Sequence, residues 1–289
     1  SDNINRTIAG TQVDLAFPFT GQSKLYGAEV KNTLTPKISH VYRAKEVQGN
    51  IPIFDTTDKY DDIMTFAALT SGERYTGLDR ITNANDVTLS FVSKWEATDE
   101  EKEDLDLLNF RIAQTFYADD EVVSNTANTN YETRLTYSDI VAGIGLAVNQ
   151  FVFNTDIQFN PDSSSITKRT YEISYKVNPR KFISLSHTYV DTKKTYEIYS
   201  AYPISDSVHL FWGLDRTTST GVTNKETSGI AYESCCWATR IVHFKEAAGS
   251  SYSYNTGIEL VFKGLGSTSS SIRKHIRKNI PYYQADLGE

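Results

Sequence analysis

The sequence lacks any long apolar run, and its longest candidate, Ile140–Val148, has only nine residues. A transmembrane helix needs about 18 or more predominantly apolar residues. A helical membrane protein is therefore excluded. Proline is also scarce, with 7 residues in 289, and methionine occurs once.

The sequence has no basic stripe, and its net charge is -7 with a pI near 5.3. Nucleic-acid-binding proteins usually carry clustered lysine and arginine, so we expect no nucleic-acid partner. The first residues, Ser1-Asp-Asn-Ile-Asn5, have neither the basic nor the apolar region of a signal peptide. We expect an export signal to have been removed or to lie upstream.

Aromatic residues supply much of the apolar content, with 18 tyrosines and 14 phenylalanines in a chain of mean hydropathy -0.41. Apolar and polar residues alternate with period two over stretches of about 8 to 12 residues, which is typical of β-strands. The clearest stretches are 151–159, 170–177, 207–215 and 257–263.

A soluble sandwich also alternates, but its strands are usually about 5 to 6 residues long. The stretches here are nearer the length that crosses a bilayer at a tilt, and aromatic residues lie near their ends. The sequence therefore predicts an all-β protein, a transmembrane antiparallel β-barrel of the outer-membrane type.

About 13 strands are predicted, at 10–20, 26–44, 86–97, 107–118, 131–148, 150–160, 166–177, 181–190, 194–202, 205–215, 226–235, 236–246 and 252–263. Bacterial single-chain barrels have even numbers of strands. Either one strand is miscounted or the sheet is incomplete, as it would be in half of a larger barrel.

Two segments depart from the strand pattern. Residues 45–85 form a long excursion whose apolar and aromatic content predicts that it folds over or into the lumen. After the barrel strands of residues 1–264, the tail 265–289 has Ile272, Ile276 and Ile280 at helical spacing among basic residues. This tail reads equally well as a short basic amphipathic helix or as a frayed cationic terminus.

No catalytic, metal or cofactor site is predicted. Ser184, Ser186 and His187 come nearest to a hydrolase pair, but Ser184 and Ser186 face away from His187 on a strand. Adjacent cysteines without a nearby histidine match no zinc pattern, and Gly264-Leu-Gly266 lacks the rest of a nucleotide-binding motif. We expect a protein that is not an enzyme.

Cys235 and Cys236 are adjacent and are the only cysteines. Neighbours on a strand point to opposite faces, and a disulfide between them would strain the backbone. They are either two buried small side chains or two bridges to partners outside this chain. The composition of the chain favours the bridges.

The segment Asn255-Thr-Gly-Ile-Glu-Leu-Val-Phe262 has a polar residue, then glycine, then apolar residues at alternate positions. It resembles the signal by which barrel-assembly machinery recognises a final strand. An ordinary strand with a lumen-facing glycine would look the same, but its place as the last predicted strand favours the signal.

Four blocks together resemble the C-terminal half of the LPS-assembly protein LptD family. They are Gly229-Ile-Ala-Tyr-Glu-Ser-Cys-Cys-Trp-Ala-Thr-Arg240, the final-strand signal with Lys263-Gly-Leu-Gly266 and Asn279-Ile-Pro281, Thr76-Gly-Leu-Asp-Arg-Ile-Thr-Asn-Ala-Asn85, and Leu34-Thr-Pro-Lys37. The resemblance covers about residues 30–283.

The resemblance implies a barrel of about 26 strands in a Gram-negative outer membrane. It further implies an N-terminal periplasmic domain, an LptE-like lipoprotein plug, a periplasmic LPS bridge protein and barrel-assembly machinery as partners. Cys235 and Cys236 would bridge to cysteines of the missing N-terminal domain.

The last strand would pair weakly with the first strand as a lateral gate. The residues predicted for this gate and for the assembly signal are Tyr254, Asn255, Gly257, Leu260 and Phe262. The residues predicted to contact the plug are Tyr75, Gly77, Leu78, Asp79 and Arg80.

The leading functional hypothesis is an LPS-assembly translocon that inserts lipopolysaccharide into the outer leaflet through this gate. Lumen residues such as Asn154, Asp156, Gln158, Glu172 and Lys176 would keep the path polar. The alternative is a self-contained porin or adhesin-type outer-membrane β-barrel.

Disulfide mapping separates these two hypotheses. In protein extracted unreduced from its native envelope, we expect the tryptic peptide 226–240 to be linked to peptides outside these 289 residues. Mass spectrometry before and after reduction gives the measurement. Free thiols, or thiols bonded only to each other, would favour the self-contained barrel.

Overall fold

The computed structural model describes residues 6–25, 28–60, 64–97, 106–264, 266–268 and 270–283. The chain is all-β, and no helix in these described ranges is both long and apolar enough to cross a bilayer. The strands are β1 Gly10–Ala16, β2 Phe19–Leu25, β3 Ala28–Arg43, β4 Ala84–Ala97, β5 Asp106–Tyr117, β6 Glu121–Val123, β7 Tyr131–Thr133, β8 Ile140–Val148, β9 Phe151–Asn160, β10 Ser165–Asn178, β11 Lys181–Val190, β12 Lys193–Pro203, β13 Val208–Thr217, β14 Val222–Glu233, β15 Trp237–Ala248, β16 Ser251–Phe262 and β17 Gly266–Ser267; the helices are α1 Phe66–Thr70 and α2 Ser270–Asn279.

The chain divides into two compact units, one of residues 1–146 with 155–169 and the other of residues 147–154 with 170–289. In the first unit the hydrogen-bonded strand order is β1-β3-β4-β5-β8, and β2 also pairs with β3. In the second unit the strand order follows the sequence from β10 to β17. Every neighbouring pair of strands from β11 to β17 is antiparallel.

The prediction of one strand at 10–20 is wrong, because two strands share the edge of β3. β1 pairs with residues 37–43 of β3 and β2 pairs with residues 28–34. The break falls at Phe17 and Pro18, where Phe17 N–H still donates to the Pro36 carbonyl at 3.0 Å. Proline has no N–H and cannot continue the ladder.

The prediction of one strand at 131–148 is also wrong. Its first part, β7, pairs with β6 in a separate two-stranded sheet, and β8 begins only at Ile140. Arg134, directly after β7, donates to the Asp119 carbonyl at 2.9 Å and to the Asp86 carboxylate at 2.8 Å. These bonds turn the chain between the two strands.

The predicted number of strands agrees with the long strands of the described residues. β1 and β2 occupy one position beside β3, while β6 and β7 lie apart and β17 has two residues. Thirteen long positions remain, as the alternation indicated. The two-residue β17 was not predicted.

The sheet of the second unit has an apolar exposed face and a polar buried face, the reverse of a soluble protein. On β11, Ile183 and Leu185 are 45% and 43% exposed, while Ser184 between them is 2% exposed. The same reversal recurs on β13 and β14, where Leu210 and Ile230 are exposed and His209 and Thr227 are buried. We call the buried, polar face the inner face.

The helix α2 confirms the amphipathic-helix interpretation of the tail. Ile276 and Ile280 are fully buried and pack with Phe182, Phe211 and Phe244 on the inner face. The tail is therefore packed against the sheet as far as Tyr283, where the described residues end.

The long excursion between β3 and β4 also packs on its own unit. Met64 and Leu69, around the short helix α1, contact Ala113 of β5 and Val141 of β8. Met64 N–H donates to the Gln158 side chain at 3.2 Å, which ties the excursion to β9. The segment therefore covers part of β5 and β8, and the prediction that it folds over or into the lumen stays a prediction.

Candidate functional site: the last strand, the cysteine turn and the long excursion

The last long strand, β16, presents its side chains to two different environments. Tyr254, Ile258 and Phe262 lie on the exposed face, with Ile258 67% exposed. Glu259 and Val261 lie on the inner face and are buried. Leu260 is half-buried on the exposed side, and Asn255 is exposed on the inner side.

Gly257 is the point at which α2 comes closest to β16. A Cβ atom built on Gly257 would lie 2.7 Å from Cδ1 and 3.2 Å from Cγ1 of Ile272, so a larger side chain would have to displace the Ile272 side chain of α2. Gly213 of β13 has the same role further along the tail, beside Ile280 and the Asn279 carbonyl. Glycine at these two positions allows the close approach of the tail to the strands.

An ion cluster next to Gly257 ties β15, β16 and α2 together. Arg240 and Glu259 form an ion pair in which both side chains are fully buried. Arg273 of α2 lies 3.6 Å from the other Glu259 oxygen. His275, two residues further along α2, contacts the Glu246 carboxylate at 3.0 Å.

The end of the tail contacts strands further along the sheet. Tyr283 OH lies 2.6 Å from Nε2 of His209 on β13, and Tyr282 OH donates to Glu172 of β10 at 2.9 Å. Lys176 Nζ lies 3.2 Å from the centre of the Tyr282 ring. Burial, with the nearby Glu172 carboxylate, raises the pKa of Tyr282 to about 12, so this phenol stays protonated and donates.

Cys235 and Cys236 lie in the turn between β14 and β15, both exposed and with their Sγ atoms 2.9 Å apart. The expectation that they point to opposite faces of a strand is wrong, because the chain turns at Ser234. The Ser234 hydroxyl donates to the Trp237 carbonyl at 2.8 Å and accepts from Trp237 N–H at 3.2 Å. The turn places both thiols on the same side.

The Cys235 side chain affects the ionisation of Cys236. The hydrogen bond with Cys235, followed by the charge interaction with it, raises the pKa of the Cys236 thiol above its usual value. Both thiols are exposed and are therefore sterically available for disulfide exchange, in which a thiolate is the nucleophile.

The five residues predicted to contact a plug have different environments within the excursion. Tyr75 and Arg80 are buried, and they donate to the Val123 carbonyl at 2.5 Å and the Ser124 carbonyl at 3.1 Å. These bonds hold the excursion to the β6–β7 sheet. Leu78, in contrast, is 76% exposed.

Gly77 and Asp79 shape the turn that exposes Leu78. Gly77 has φ +71, and a Cβ there would also collide with Asp55. The Asp79 carboxylate accepts from the N–H groups of Phe54 at 2.6 Å and Asp55 at 2.7 Å. These backbone donors, Asp55 first, lower the pKa of Asp79. Phe54, held beside this turn, is 86% exposed.

The residues considered for hydrolysis have other partners. Ser184 donates to Glu172 at 3.1 Å and Ser186 donates to Glu197 at 2.8 Å. The His187 ring packs on Tyr196 with centroids 4.4 Å apart. No group of three potential metal ligands occurs among the residues that the structure describes.

Long antiparallel strands with an apolar exposed face and a polar buried face define the class: the chain is an outer-membrane β-barrel protein. The family model "LptD: LPS transport system D" matches residues 1–211, and the chain belongs to this family. Proteins of the family lie in the outer membrane of Gram-negative bacteria.

Several curated relatives are named "LPS-assembly protein LptD". The protein of Pseudoalteromonas atlantica is 26% identical over 285 residues, covering 93% of this chain and 36% of the relative. That of Shewanella frigidimarina is 28% identical, covering 93% and 37%. That of Pseudomonas putida is 23% identical, covering 92% and 33%. The chain thus spans little more than a third of the first two relatives.

Sequence reasoning did not find the inner-face partners Arg240, Glu259, Arg273 and His209. A signal for α2 docking was available in His209-Leu-Phe-Trp212, where bulky residues fall on both faces of β13. A strand that is bulky on both faces is covered on both faces. Phe211 is buried because α2 covers the second face.

Gly257→Val should destabilise the folded protein by about 1–3 kcal/mol, because the new side chain collides with Ile272. Ile272→Ala in the same protein should restore most of the loss by removing the obstructing atoms. The temperature at which the full-length protein loses its folded mobility on a gel measures the effect. Ser253→Val, on the same strand and exposed, is the control; equal behaviour of the two valine variants would contradict the prediction.

Asp79→Ala should make residues 51–80 several-fold more sensitive to limited proteolysis at neutral pH, because Phe54 and Asp55 lose their acceptor. The folded pKa is depressed, so this stabilisation is present above the ordinary aspartate pKa and lost as the pH falls through the folded pKa. The difference from wild type should therefore disappear in acid. Asp120→Ala, at an exposed loop aspartate, should change neither; a similar sensitivity of both variants would refute the role of Asp79.

Proposed function

We propose that the intact protein inserts lipopolysaccharide into the outer leaflet of the outer membrane as a translocon without enzymatic activity. The family description and the names of the relatives refer to LPS transport and assembly. Because the chain spans 36–37% of the first two relatives, activity, substrate and partners are proposed for the whole protein.

The observation that carries the proposal is the polarity of the two sheet faces. Lipopolysaccharide has acyl chains that partition into hydrocarbon and sugars with phosphates that do not. A sheet with Ile183 and Leu185 exposed on one face and Ser184 buried on the other offers a separate environment to each part. On the inner face, Glu172 accepts from Ser184, and Asn154 approaches it at 3.5 Å.

The lateral gate is proposed at β16. Tyr254, Leu260 and Phe262 would face lipid along the seam, while Asn255 and Gly257 lie on the inner side. The seam would be closed by the first strand of the intact barrel. The same residues, from Asn255 to Phe262, are proposed as the signal read by barrel-assembly machinery.

The cysteine turn is proposed as the covalent link to the N-terminal periplasmic domain. Both thiols are exposed and adjacent, as two separate bridges require. The end of the sheet that carries Cys235 and Cys236 would then face the periplasm, where a periplasmic LPS bridge protein delivers the substrate.

An LptE-like lipoprotein plug is the proposed partner of the long excursion. Leu78 and Phe54 are the exposed apolar side chains on the turn stabilised by Asp79 and Gly77. Tyr75 and Arg80 would act through the fold of the excursion, since both are buried.

Site-specific photocross-linking with pulse-labelled lipopolysaccharide tests the proposed function in cells that contain the full-length protein. A photoreactive residue at Asn154, on the inner side, should form an early and transient adduct with newly made lipopolysaccharide. The same residue at exposed Phe153 should label later and persistently, from the surrounding leaflet.

A self-contained porin gives a different result. It would form adducts at Phe153 but none at Asn154, and the purified protein would conduct ions without a lipoprotein. Loss of the transient Asn154 adduct after depletion of the LPS supply separates passage of substrate from nonspecific labelling.

A further inference from the structure

The two halves of β16 differ in what covers them. Residues 251–256 are exposed throughout, whereas Glu259 and Val261 are buried. The covered half, residues 257–262, lies next to the cysteine turn, because Trp237 pairs with Phe262 and Ala248 pairs with Ser251 at the other end. The strand therefore has an uncovered half remote from the cysteines and a covered half beside them.

The edge of the covered half that faces away from β15 is occupied by residues 266–268, which follow β16 in the chain and run back along it. We call these residues the return. Thr268 N–H donates to the Leu260 carbonyl at 2.9 Å, and Leu260 N–H donates to the Thr268 hydroxyl at 3.0 Å. β17 continues this pairing, with Ser267 opposite Val261 and Gly266 opposite Phe262. A strand added to this edge of β16 would have to displace these bonds.

Alternate residues of a strand direct their backbone N–H and C=O groups to the same edge, so the register shows which of these groups of β16 lie on the edge that the return occupies. The β15–β16 register is continuous from Phe262 to Ser251, so N–H groups that point like that of Leu260 recur at every second residue. Tyr252, Tyr254, Thr256 and Ile258 thus direct their N–H and C=O groups to the same edge. Within the described ranges, the pairing with β17 reaches only Val261 and Phe262.

The inner side of the covered half is held by α2. Ile272 lies against Gly257, and Arg273 approaches Glu259, which is already paired with Arg240 of β15. The helix is anchored further along the sheet, where Asn279 donates to Thr227 of β14 at 3.3 Å. Moving this half of β16 away from β15 would expose a buried ion pair and break the helix contact.

The side chains on the exposed face also differ between the two halves of β16: they are apolar beside the covered half and polar or aromatic beside the uncovered half. Beside the covered half, Ile241 pairs with Ile258 and Trp237 with Phe262. Beside the uncovered half, His243 Nδ1 lies 2.9 Å from the Thr256 hydroxyl and Lys245 lies over the Tyr252 ring at 4.5 Å. Polar and aromatic side chains of this kind belong at a membrane interface rather than in hydrocarbon.

We propose that the return through Thr268 and the helix α2 form a clamp that holds residues 257–262 of β16 on β15 and occupies their edge at residues 260–262, so that separation from the first strand starts in residues 251–256. This inference rests on the proposed function, because it locates where the proposed gate opens. In this proposal the C-terminal segment positions the last long strand, with the return at the edge of β16 and α2 on its inner face.

Hydrogen exchange resolved to single residues, on the full-length protein in its lipoprotein complex, tests the clamp. In wild type, the amides of Tyr252 and Tyr254 should exchange at least about tenfold faster than that of Leu260. Thr268→Val removes the acceptor of Leu260 N–H without changing side-chain size, and Ile272→Ala removes the contact with Gly257. The double variant should bring the two rates together by accelerating Leu260.

Ile230→Ala is the matched control, since Ile230 lies on the exposed face of β14 and pairs with β15 rather than with β16. It should leave the ratio of the two rates unchanged. Equal rates for both halves in wild type, or no acceleration of Leu260 in the double variant, would overturn the clamp. The photocross-linking at residues 153 and 154 of β9 tests passage of lipopolysaccharide and not the clamp on β16, so failure of the proposed function and failure of the clamp are read from different measurements.

Discussion

Backbone pairing between neighbouring strands is the constraint on which the rest of this structure depends. An unpaired N–H or C=O group in hydrocarbon costs several kcal/mol, so strands cross a membrane only when their neighbours satisfy them. β15 and β16 pair without interruption from Trp237–Phe262 to Ala248–Ser251. Once the backbone is satisfied in this way, side chains on the two faces can take opposite polarity, and polar residues can be buried on the inner face.

The inner face is nevertheless not uniformly polar, and its apolar residues determine where the C-terminal helix packs. Phe182, Phe211 and Phe244 form an apolar surface that Ile276 and Ile280 cover. Glycines at 213 and 257 let the tail approach the backbone. Around this contact, Arg240 and Glu259 are fully buried, and each oxygen of the Glu259 carboxylate has a cationic neighbour, Arg240 or Arg273. Packing and electrostatics therefore both fix the tail on the strands that precede it.

Regions outside the strands are organised by backbone hydrogen bonds from side chains. Ser234 closes the turn that brings Cys235 and Cys236 together, and Asp79 closes the turn that exposes Leu78 and Phe54. In each case a short polar side chain takes the place of a strand partner. The exposed groups at these two turns are consequently held in defined positions, as a bridge to another domain or a contact with a plug would require.

The sequence by itself determined the fold class, most strand positions and the family, because period-two alternation and the Cys235-Cys236 block are local properties of the chain. The tertiary structure decided the break at Pro18, the separate β6–β7 sheet and the common orientation of the two thiols. It also decided which apolar residues of the tail meet Gly257 and Gly213. These features depend on contacts between residues far apart in sequence, such as Arg273 with Glu259 or Tyr283 with His209, and no period in the sequence specifies such contacts.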